Sequence, residues 1–346
     1  MKPRIAVLFG GASKDYTVSL RSAKSVVRNL NYKKYDVLPV GITRSGRWLC
    51  CPVEALLDDS APWYENSDCC SAVISPDPEH NGLLKCEDGK MNLLRLDGIF
   101  SVLHGKYGEC GKVQGLMKLS GVPFAGSGIE GAVNCSDRSL FHLVLNSAGI
   151  KTADYLTFER ELLDLDSFSA EKELSGIGYP LIIKAASCSS SIGAHIVASA
   201  EEFSHAAKIA FSHHHKILAE TLPETGRELE CVVYGSNYSR KVSRIGEIKK
   251  VDSGFKYVKS TGNFIAASLT AEEQKLVTET ALKAAATLLC KGFVRLSFAL
   301  EGGEIYCRHA SNIPGFSEGS ALSRLAEFDG EKLSDVLNEI LEPVVG

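Results

Sequence analysis

The amino-acid sequence predicts an α/β protein with more than one domain. The chain has 346 residues, of which 45% are hydrophobic, whereas a single hydrophobic core stops growing at about 250–300 residues. Residues 5–9 form a continuous apolar run typical of a buried strand, and Gly10 and Gly11 interrupt it. Residues 19–30 then carry apolar side chains at helical spacing. This β-turn-α unit predicts an α/β domain at the start of the chain.

Two further strands extend this first domain. Residues 37–42 and 98–103 are apolar runs, each associated with a glycine and followed by polar residues. Ligand-binding loops lie at the carboxyl ends of parallel strands in such sheets. We therefore assign residues 1–127 to an N-terminal domain. The polar stretch 52–90 is predicted only as connecting hairpins or loop.

The middle of the chain predicts a hairpin suited to covering phosphate groups. Residues 137–148 are predicted as a helix, and a later short strand ends at Lys184. The run 187–193 consists mostly of small residues rich in hydroxyl and backbone N–H donors, and a second strand follows at 194–197. We assign residues 128–221 to a central domain.

A C-terminal domain is predicted for residues 222–346. It contains strands, one helix and a final hairpin whose turn is marked by Gly302 and Gly303. The predicted strands are 228–234, 240–248, 293–300 and 304–307, and the predicted helix is 271–289.

The composition argues against several classes of partner. The chain has 42 acidic and 38 basic residues, so its charge does not favour nucleic acid or an anionic membrane. It contains no run of about 18 apolar residues that could cross a bilayer, and its first residues show no apolar signal segment. We expect a cytoplasmic protein with small-molecule partners. The eleven cysteines lack a CxxC spacing and are expected to be reduced thiols.

Three charged residues are candidates for an ATP site that lacks a P-loop, since no GxxxxGK[ST] motif is present. Lys184 precedes the small-residue run, and phosphate transfer from ATP requires a cation and a covering loop. The alternative is a solvated lysine before a flexible loop. Glu220 and Glu228 would contact adenine and ribose if the loop between them folds back. The alternative for this pair is a solvated acidic face.

Several segments, taken in order, resemble one enzyme family. They are LFGGASKDYTVSLRS at 8–22, LHGKYGECGKVQG at 103–115, GVPFAGS at 121–127, Arg295, and NIPGFS at 312–317. Over almost the whole chain the sequence is similar to the D-alanine:D-alanine ligases, and VGITRSGRW at 40–48 is similar to their D-alanine:D-serine branch. The resemblance implies an α/β (α+β) three-domain ATP-grasp fold with an N-terminal Rossmann-like domain.

The resemblance also implies a reaction and a set of nucleotide-binding residues. Ligases of this family use ATP to phosphorylate the carboxylate of one amino acid, and the amine of a second amino acid attacks the acylphosphate. Arg138 stands where the family has a lysine on the nucleotide phosphates. The other implied nucleotide-binding residues are Lys184, Ser189, Ser190, Ser191, Glu220, Leu222 and Glu228.

The same resemblance implies which residues hold the amino-acid substrates. Asp15 replaces the glutamate that holds the first amino group, and Ser190 would orient this substrate. His104 would lie near the second substrate, and Ser320 would contact its carboxylate.

Two more sets of groups are implied for catalysis. Arg295 and the backbone N–H of Gly315 would cover the oxyanion. Lys256 and Tyr257 match a pair that closes the site in the family, or else Tyr257 matches an earlier tyrosine and the closing pair is deleted in a loop that is shorter here. Both alignments stay open.

The positions that bind two magnesium ions in the family are all changed. An aspartate, a glutamate and an asparagine are replaced by Ser297, His309 and Ser311. Magnesium prefers oxygen ligands that include a carboxylate, so these residues are poorly suited to Mg²⁺ or Mn²⁺. Arg308 is a candidate for contacting phosphate without a metal ion.

Two functions of different classes follow. The first is an ATP-dependent carboxylate-amine ligase that forms a D-alanyl dipeptide for peptidoglycan, with ATP as cofactor and D-amino acids as substrates. The alternative is a pseudoenzyme that binds nucleotide or amino acid and acts as a regulator or partner, because the three metal positions have changed together. The resemblance further implies a homodimer.

Overall fold

The computed structural model describes residues 1–161, 167–187, 193–222, 226–236, 239–249 and 263–346. These residues form β-sheets at 4–125, 155–221 and 227–311, with helices packed around them. We call the sheets the N-terminal, central and C-terminal sheets.

The N-terminal sheet combines a parallel half and an antiparallel half. Its strands are β1 (Arg4–Gly10), β2 (Asp36–Ile42), β3 (Trp48–Cys50), β4 (Cys70–Ile74), β5 (Gly82–Glu87), β6 (Lys90–Arg95), β7 (Gly98–Ser101) and β8 (Phe124–Ala125). The spatial order is β6-β5-β4-β3-β2-β1-β7-β8, with β2, β1, β7 and β8 parallel and the rest antiparallel. The helices of this region are α1 (Tyr16–Asn29), α2 (Val53–Leu57) and α3 (Lys112–Leu119), with 3-10 turns at Trp63–Glu65 and Gly105–Tyr107.

The polar stretch 52–90 contains one of the predicted hairpins, β4–β5, together with a short helix. It forms α2 and the strands β4 and β5, and β6 begins at its last residue. The side chains of β6 are mostly exposed, so this strand shows no buried apolar face that periodicity could reveal. It is held instead by backbone pairing with β5 along its whole length.

The central sheet is antiparallel, with its strands in the order β11-β10-β12-β9. These strands are β9 (Tyr155–Glu159), β10 (Leu181–Ala185), β11 (His195–Val197) and β12 (Lys216–Thr221). Two helices precede it and pack against the C-terminal sheet, α4 (Ile129–Ser136) and α5 (Arg138–Ser147). Two others pack against the central sheet itself, α6 (Ser167–Ile177) and α7 (Ala200–Phe211). The predicted helix 137–148 therefore corresponds to α5.

The C-terminal sheet is also antiparallel, and β13 and β17 lie at its centre. Its strands are β13 (Arg227–Ser236), β14 (Ser239–Val242), β15 (Gly246–Lys249), β16 (Asn263–Ala266), β17 (Gly292–Glu301) and β18 (Glu304–Ser311). The helices are α8 (Ala271–Thr287), α9 (Ala321–Asp329) and α10 (Leu333–Val345). The segment predicted as one strand, 240–248, is two strands, because the chain leaves the sheet at 243–245.

The N-terminal and C-terminal sheets share a hydrophobic core, whereas the central sheet has its own. Phe100 of β7, Phe293 of β17 and Phe316 lie at the centre of the shared core, with ring centroids 5.2–5.8 Å apart. Such aromatic contacts add to the free energy gained from burial. Among the described residues, no helix is long and apolar enough to cross a membrane.

Candidate functional site

A cleft with a volume of about 320 Å³ lies where loops from the three sheets meet. We call it the central cleft. It is lined by residues 12–15 after β1, by positions between 105 and 110 after β7, by the junction of α4 and α5, and by the end of β18. Three of the predicted site residues line it, namely Asp15, Arg138 and His309. The fold thus brings together residues that are far apart in the sequence.

The carboxylate of Asp15 lies close to the backbone of Gly105, which has no side chain. Gly105 has φ +79°, and a Cβ atom at this position would lie 2.3 Å from Oδ2 of Asp15. Glycine is therefore required here both for the backbone conformation and for the close approach of the carboxylate. Asp15, the predicted ligand of the first amino group, lines the central cleft.

His104 is buried behind the cleft in a chain of polar contacts. Its Nε2 lies 3.1 Å from Oγ of Ser22, and its Nδ1 lies 3.4 Å from Oε1 of Glu109. The backbone N–H of Phe316 donates to the same Ser22 hydroxyl over 3.2 Å. Through Ser22, His104 is thereby linked to the turn that contains Gly315, where the sequence predicts an oxyanion donor.

Lys184 and Glu220, predicted to contact phosphate and adenine, contact each other. Nζ of Lys184 donates to Oε2 of Glu220 over 2.5 Å, and Nε2 of His142 lies 3.1 Å from Oε1. Lys184 is 4% exposed and Glu220 is 6% exposed. His142 stacks on Tyr155 with a centroid distance of 4.4 Å. These groups form a buried charged cluster near the end of β10.

The pKa of the Glu220 carboxyl reflects this environment. Burial raises the pKa, but the Lys184 ammonium and the hydrogen bond from His142 lower it more, and the net pKa lies below its ordinary value. Glu220 is therefore ionised at neutral pH. A buried carboxylate is stable there only because it is paired and hydrogen-bonded.

A network at the start of α5 fixes the position of Arg138. The side chain of Asp137 caps the helix by accepting from the backbone N–H groups of Ser139 and Leu140. Nζ of Lys216 lies 2.8 Å from Oδ2 of Asp137, and the backbone N–H of Arg138 donates to the carbonyl of Ala186 over 2.9 Å. Arg138 is thereby held beside the end of β10.

Two arginine–glutamate pairs lie on the face of the C-terminal sheet that also carries Phe293, opposite the face that carries Leu229. Nη1 of Arg295 lies 3.2 Å from Oε1 of Glu230, and Nη1 of Arg308 lies 3.1 Å from Oε1 of Glu228. Leu229, between the two glutamates, points into a second core on the other face of this sheet. The predicted ribose contact Glu228 and the predicted oxyanion donor Arg295 are thus each paired within the protein.

The three positions that would hold magnesium lie together on this face. Ser297 pairs with His309 across β17 and β18, and Arg295 pairs with Ser311. The Ser311 hydroxyl donates to the carbonyl of Ile313 over 3.1 Å. Among the described residues, no group of three His, Cys, Asp or Glu side chains is arranged to hold a metal ion.

His309 is partly buried and lies close to several charged groups. Burial holds its pKa well below the ordinary value, and three neighbouring positive charges lower it further. These charges belong to Arg138, Arg295 and Lys184. The carboxylate of Glu220 acts in the opposite direction but does not reverse the shift, so the imidazole is neutral at pH 7.

The remaining predicted contacts lie near chain turns. Ser320 caps α9, with its Oγ accepting from the N–H of Ser323 over 3.4 Å, and a Cβ added at Gly315 would lie 3.3 Å from Cβ of Ser320. Leu222 directly follows β12. Ser189, Ser190, Ser191 and Tyr257, together with Lys256, lie outside the described residues, so their predicted roles and the alignment of the shorter loop stay predictions.

Sequence reasoning missed several partners of the predicted residues. Glu230 could have been found, because it alternates with Glu228 on one strand and therefore shares its face. Asp137 precedes a helical pattern and is a typical N-cap residue. No sequence signal marks His142 and Lys216, since only the folded chain brings them to Glu220 and Asp137.

Comparisons with known proteins agree over most of the chain. Residues 4–127 match the family model described as D-ala D-ala ligase N-terminus, and residues 144–342 match the one described as D-ala D-ala ligase C-terminus. The vancomycin/teicoplanin A-type resistance protein VanA of Enterococcus faecium is 33% identical over 98% of this chain and 97% of its own length. A D-alanine–D-alanine ligase of Thermoanaerobacter sp. is 32% identical over 99% of this chain and 97% of its own length.

A solved structure shows the same architecture. The VanG D-Ala:D-Ser ligase of Enterococcus faecalis superposes with a TM-score of 0.90 at 32% identity, covering 100% of both chains. The similarity thus extends through all three sheets and through the loops that line the central cleft.

Proposed function

The chain belongs to the D-alanine:D-alanine ligase family, and from this premise we propose that it uses ATP to join D-alanine to a second substrate for peptidoglycan. The family resemblance and the ATP-grasp fold predicted from the sequence are confirmed. Nothing in the comparisons favours the alternative of a pseudoenzyme.

The proposed reaction has two steps. The carboxylate oxygen of D-alanine attacks the γ-phosphorus of ATP, the bond to the β-phosphate oxygen breaks, and ADP leaves. The nucleophile of the second substrate then attacks the carbonyl carbon of the acylphosphate. A negatively charged oxygen forms on that carbon, inorganic phosphate leaves, and the nucleophile loses its proton to water or a nearby base. Hydrogen-bond donors that point at the developing oxyanion lower this barrier.

The residues of the central cleft are assigned to these steps as follows. Asp15 binds the amino group of the first D-alanine, and Arg138 and Lys184 bind the nucleotide phosphates. Arg295 and the N–H of Gly315 stabilise the oxyanion. In the same proposal Ser320 receives the second carboxylate at the N-terminus of α9, where backbone N–H groups favour an anion.

One observation carries this proposal. The amino-group ligand Asp15, the cation Arg138 and the former metal position His309 line the same cleft although they come from different parts of the fold. A substrate in this cleft would have its amino group at one wall and its carboxylate toward the cations, which is the orientation that phosphorylation of the carboxylate requires.

The experiment is a direct assay of the purified chain. ATP and D-alanine are incubated with D-alanine, D-serine or D-lactate as the second substrate, in buffers with magnesium, with manganese or with EDTA. Phosphate release is measured together with the mass of the product. We expect phosphate and a D-alanyl product in equal amounts with at least one second substrate. Absence of phosphate release in every buffer would contradict the ligase function and leave nucleotide binding without catalysis.

We propose three further properties. The chain is divided into domains at 1–127, 128–221 and 222–346, a division supported by the three sheets. It acts in the cytoplasm on small molecules and not on nucleic acid. It forms a homodimer, which sedimentation of the purified chain would test.

Replacing Gly105 by alanine is expected to raise the KM for the first D-alanine about tenfold, since one hydrogen-bonded contact is worth about 1.4 kcal/mol or more when an ion is involved. The added Cβ would lie 2.3 Å from Oδ2 of Asp15 and would displace that carboxylate. Steady-state kinetics with varied D-alanine measures the change.

Gly89 supplies the matched control. It also has a positive φ, +73°, but no atom lies within 4 Å of the added Cβ. Gly89→Ala introduces similar backbone strain away from the cleft and should leave KM unchanged. An equal change in both variants would show that strain, and not the contact with Asp15, is responsible.

A further inference from the structure

The residues at the former metal positions do not fit a divalent cation. Ser297 and Ser311 supply neutral hydroxyl groups, and the Ser311 hydroxyl already donates to a backbone carbonyl. The neighbouring carboxylates Glu228 and Glu230 are paired with arginines. Magnesium requires several oxygen ligands in near-octahedral geometry, usually including a carboxylate that is available to it.

From this disagreement we infer that the chain binds the phosphate groups of its nucleotide without a divalent metal ion, through guanidinium, ammonium and amide donors around His309. The inference rests on the proposed function, because it concerns how the same ATP is held. It adds one point to that function. The positive charge that neutralises the phosphates comes from side chains of the protein and not from a metal ion.

Three positive side chains lie around the partly buried His309. Arg138 lines the central cleft together with His309, and Arg295 lies two residues along β17 from Ser297, the strand partner of His309. Lys184 lies two residues before Ala186, whose carbonyl accepts from the backbone N–H of Arg138. Positive side chains attract a phosphate and repel a divalent cation, and the neighbouring carboxylates of Glu220 and Glu230 are already paired with Lys184 and Arg295.

Asn312 supplies a donor at the same place. Its side chain is 2% exposed, it lines the central cleft, and its Nδ2 has no hydrogen-bond partner among the described residues. A buried N–H group without a partner costs free energy unless a ligand accepts from it. A phosphoryl oxygen in the cleft would accept this hydrogen bond, whereas a metal ion could not.

Arg308 reaches the same face because β18 contains an irregularity. The register shifts between Ser297 and Phe298, which pair with His309 and Cys307, so Arg308 is the extra residue of a bulge. Its contact with Glu228 shows that its guanidinium lies on the face that carries Glu228 and Arg295. A bulge of this kind redirects one side chain without disturbing its neighbours.

The arginine pairs leave donors for a ligand. In the described part of the chain, Arg295 and Arg308 contact their glutamates through Nη1. A guanidinium carries five N–H donors in a planar fork, which suits simultaneous contact with a carboxylate and a phosphate. The glutamates thus hold the arginines in place and limit the net positive charge when no nucleotide is bound.

Calorimetry of nucleotide binding tests the inference. The full-length chain is titrated with adenylyl imidodiphosphate, an ATP analogue with a non-hydrolysable terminal linkage, once in EDTA and once in magnesium. We expect the two Kd values to agree within about threefold, which is well below the tenfold that corresponds to 1.4 kcal/mol. Binding that is tenfold or more weaker in EDTA overturns the inference but leaves the proposed function in place. Absence of binding in both buffers contradicts the proposed function as well.

Substitutions test which side chains donate hydrogen bonds to the phosphate groups. Asn312→Ala and Arg308→Ala are each expected to weaken binding in EDTA about tenfold, and Arg308→Lys, which keeps the charge, should weaken it less. Lys151→Ala removes an exposed cation that pairs with Glu304 on the same hairpin and should have no effect. Thermal unfolding confirms that each variant is folded. Unchanged affinity in EDTA for both alanine variants would overturn the assignment of these donors.

Restoring the family's residues at the three metal positions is expected to make nucleotide binding depend on magnesium. Ser297→Asp, His309→Glu and Ser311→Asn together place two carboxylates among the cations. The triple variant is expected to bind the analogue at least about tenfold more weakly in EDTA than in magnesium. A triple variant that binds equally well in both buffers would show that these positions do not decide the metal requirement.

Discussion

Replacing Glu220 by alanine is expected to lower the free energy of unfolding by about 3–5 kcal/mol, which is the typical cost of removing one partner of a buried ion pair. The substitution removes the carboxylate that the buried ammonium of Lys184 contacts at 2.5 Å and that His142 contacts at 3.1 Å. Urea unfolding followed by circular dichroism measures the change. A loss below about 1 kcal/mol, the range of surface pairs, would contradict it.

Two comparisons make this result specific. Glu304→Ala removes the carboxylate of an exposed pair with Lys151 and should not change stability measurably. The double variant Glu220→Ala, Lys184→Met removes both charges and should recover part of the loss, because the uncompensated buried charge is the main cost. A double variant less stable than Glu220→Ala would show that packing, not charge, dominates.

The same pair predicts a pH dependence. The folded-state pKa of Glu220 lies below its ordinary value of 4.5, so folding favours the ionised form. The stabilisation is therefore complete above about pH 4.5 and decreases as the pH falls toward the folded-state pKa. In unfolding experiments between neutral and acid pH, the difference between wild type and Glu220→Gln should shrink below this value.

Replacing Arg295 by alanine is expected to lower kcat about 10²–10³-fold, the loss typical of removing one donor to an oxyanion. The guanidinium lies on the site face of β17, paired with Glu230 at 3.2 Å. Single-turnover kinetics with saturating ATP and D-alanine measures the effect. The KM for D-alanine should change much less than kcat, because the oxyanion exists only during the reaction.

Arg244 serves as the matched control. It is an exposed arginine between β14 and β15 of the same sheet, and Arg244→Ala should leave kcat unchanged. Arg295→Lys keeps the charge but loses the planar fork and should give an intermediate rate. A kcat for Arg295→Ala within about threefold of wild type, far from the 10²-fold expectation, would exclude Arg295 from the oxyanion site.

The elements that the sequence predicts well are those with an unbroken buried pattern. β1 is apolar at almost every position, and β17 and β18 flank an evident glycine turn. β6 escapes prediction because its side chains are mostly exposed, so that only its pairing with β5 makes it a strand. A local sequence pattern therefore identifies a strand only when its apolar side chains are buried. A strand that is held by backbone hydrogen bonds alone has no such pattern.

The contacts within the site depend on strand register, which the sequence does not display. Ile182 pairs with Glu220 and Lys184 pairs with Leu218, so Lys184 and Glu220 are diagonal neighbours on one face of the central sheet. Arg295 and Glu230 are related in the same way across β13 and β17. The motifs predicted which residues belong to the site, but a register shifted by one residue would have placed these pairs on opposite faces.

The shared core of the N-terminal and C-terminal sheets has a consequence for how substrates enter. Phe100, Phe293 and Phe316 join these two sheets, and Ser22 binds the backbone of Phe316. The wall that holds Asp15 and the turn that holds Gly315 are therefore parts of one packed unit. The hydrophobic residues of the central sheet pack among themselves, whereas its Glu220 and Lys216 contact His142 and Asp137 through polar groups. A displacement of this sheet would therefore break polar contacts but leave Phe100, Phe293 and Phe316 in contact, so the distance between the two substrate walls would be unchanged.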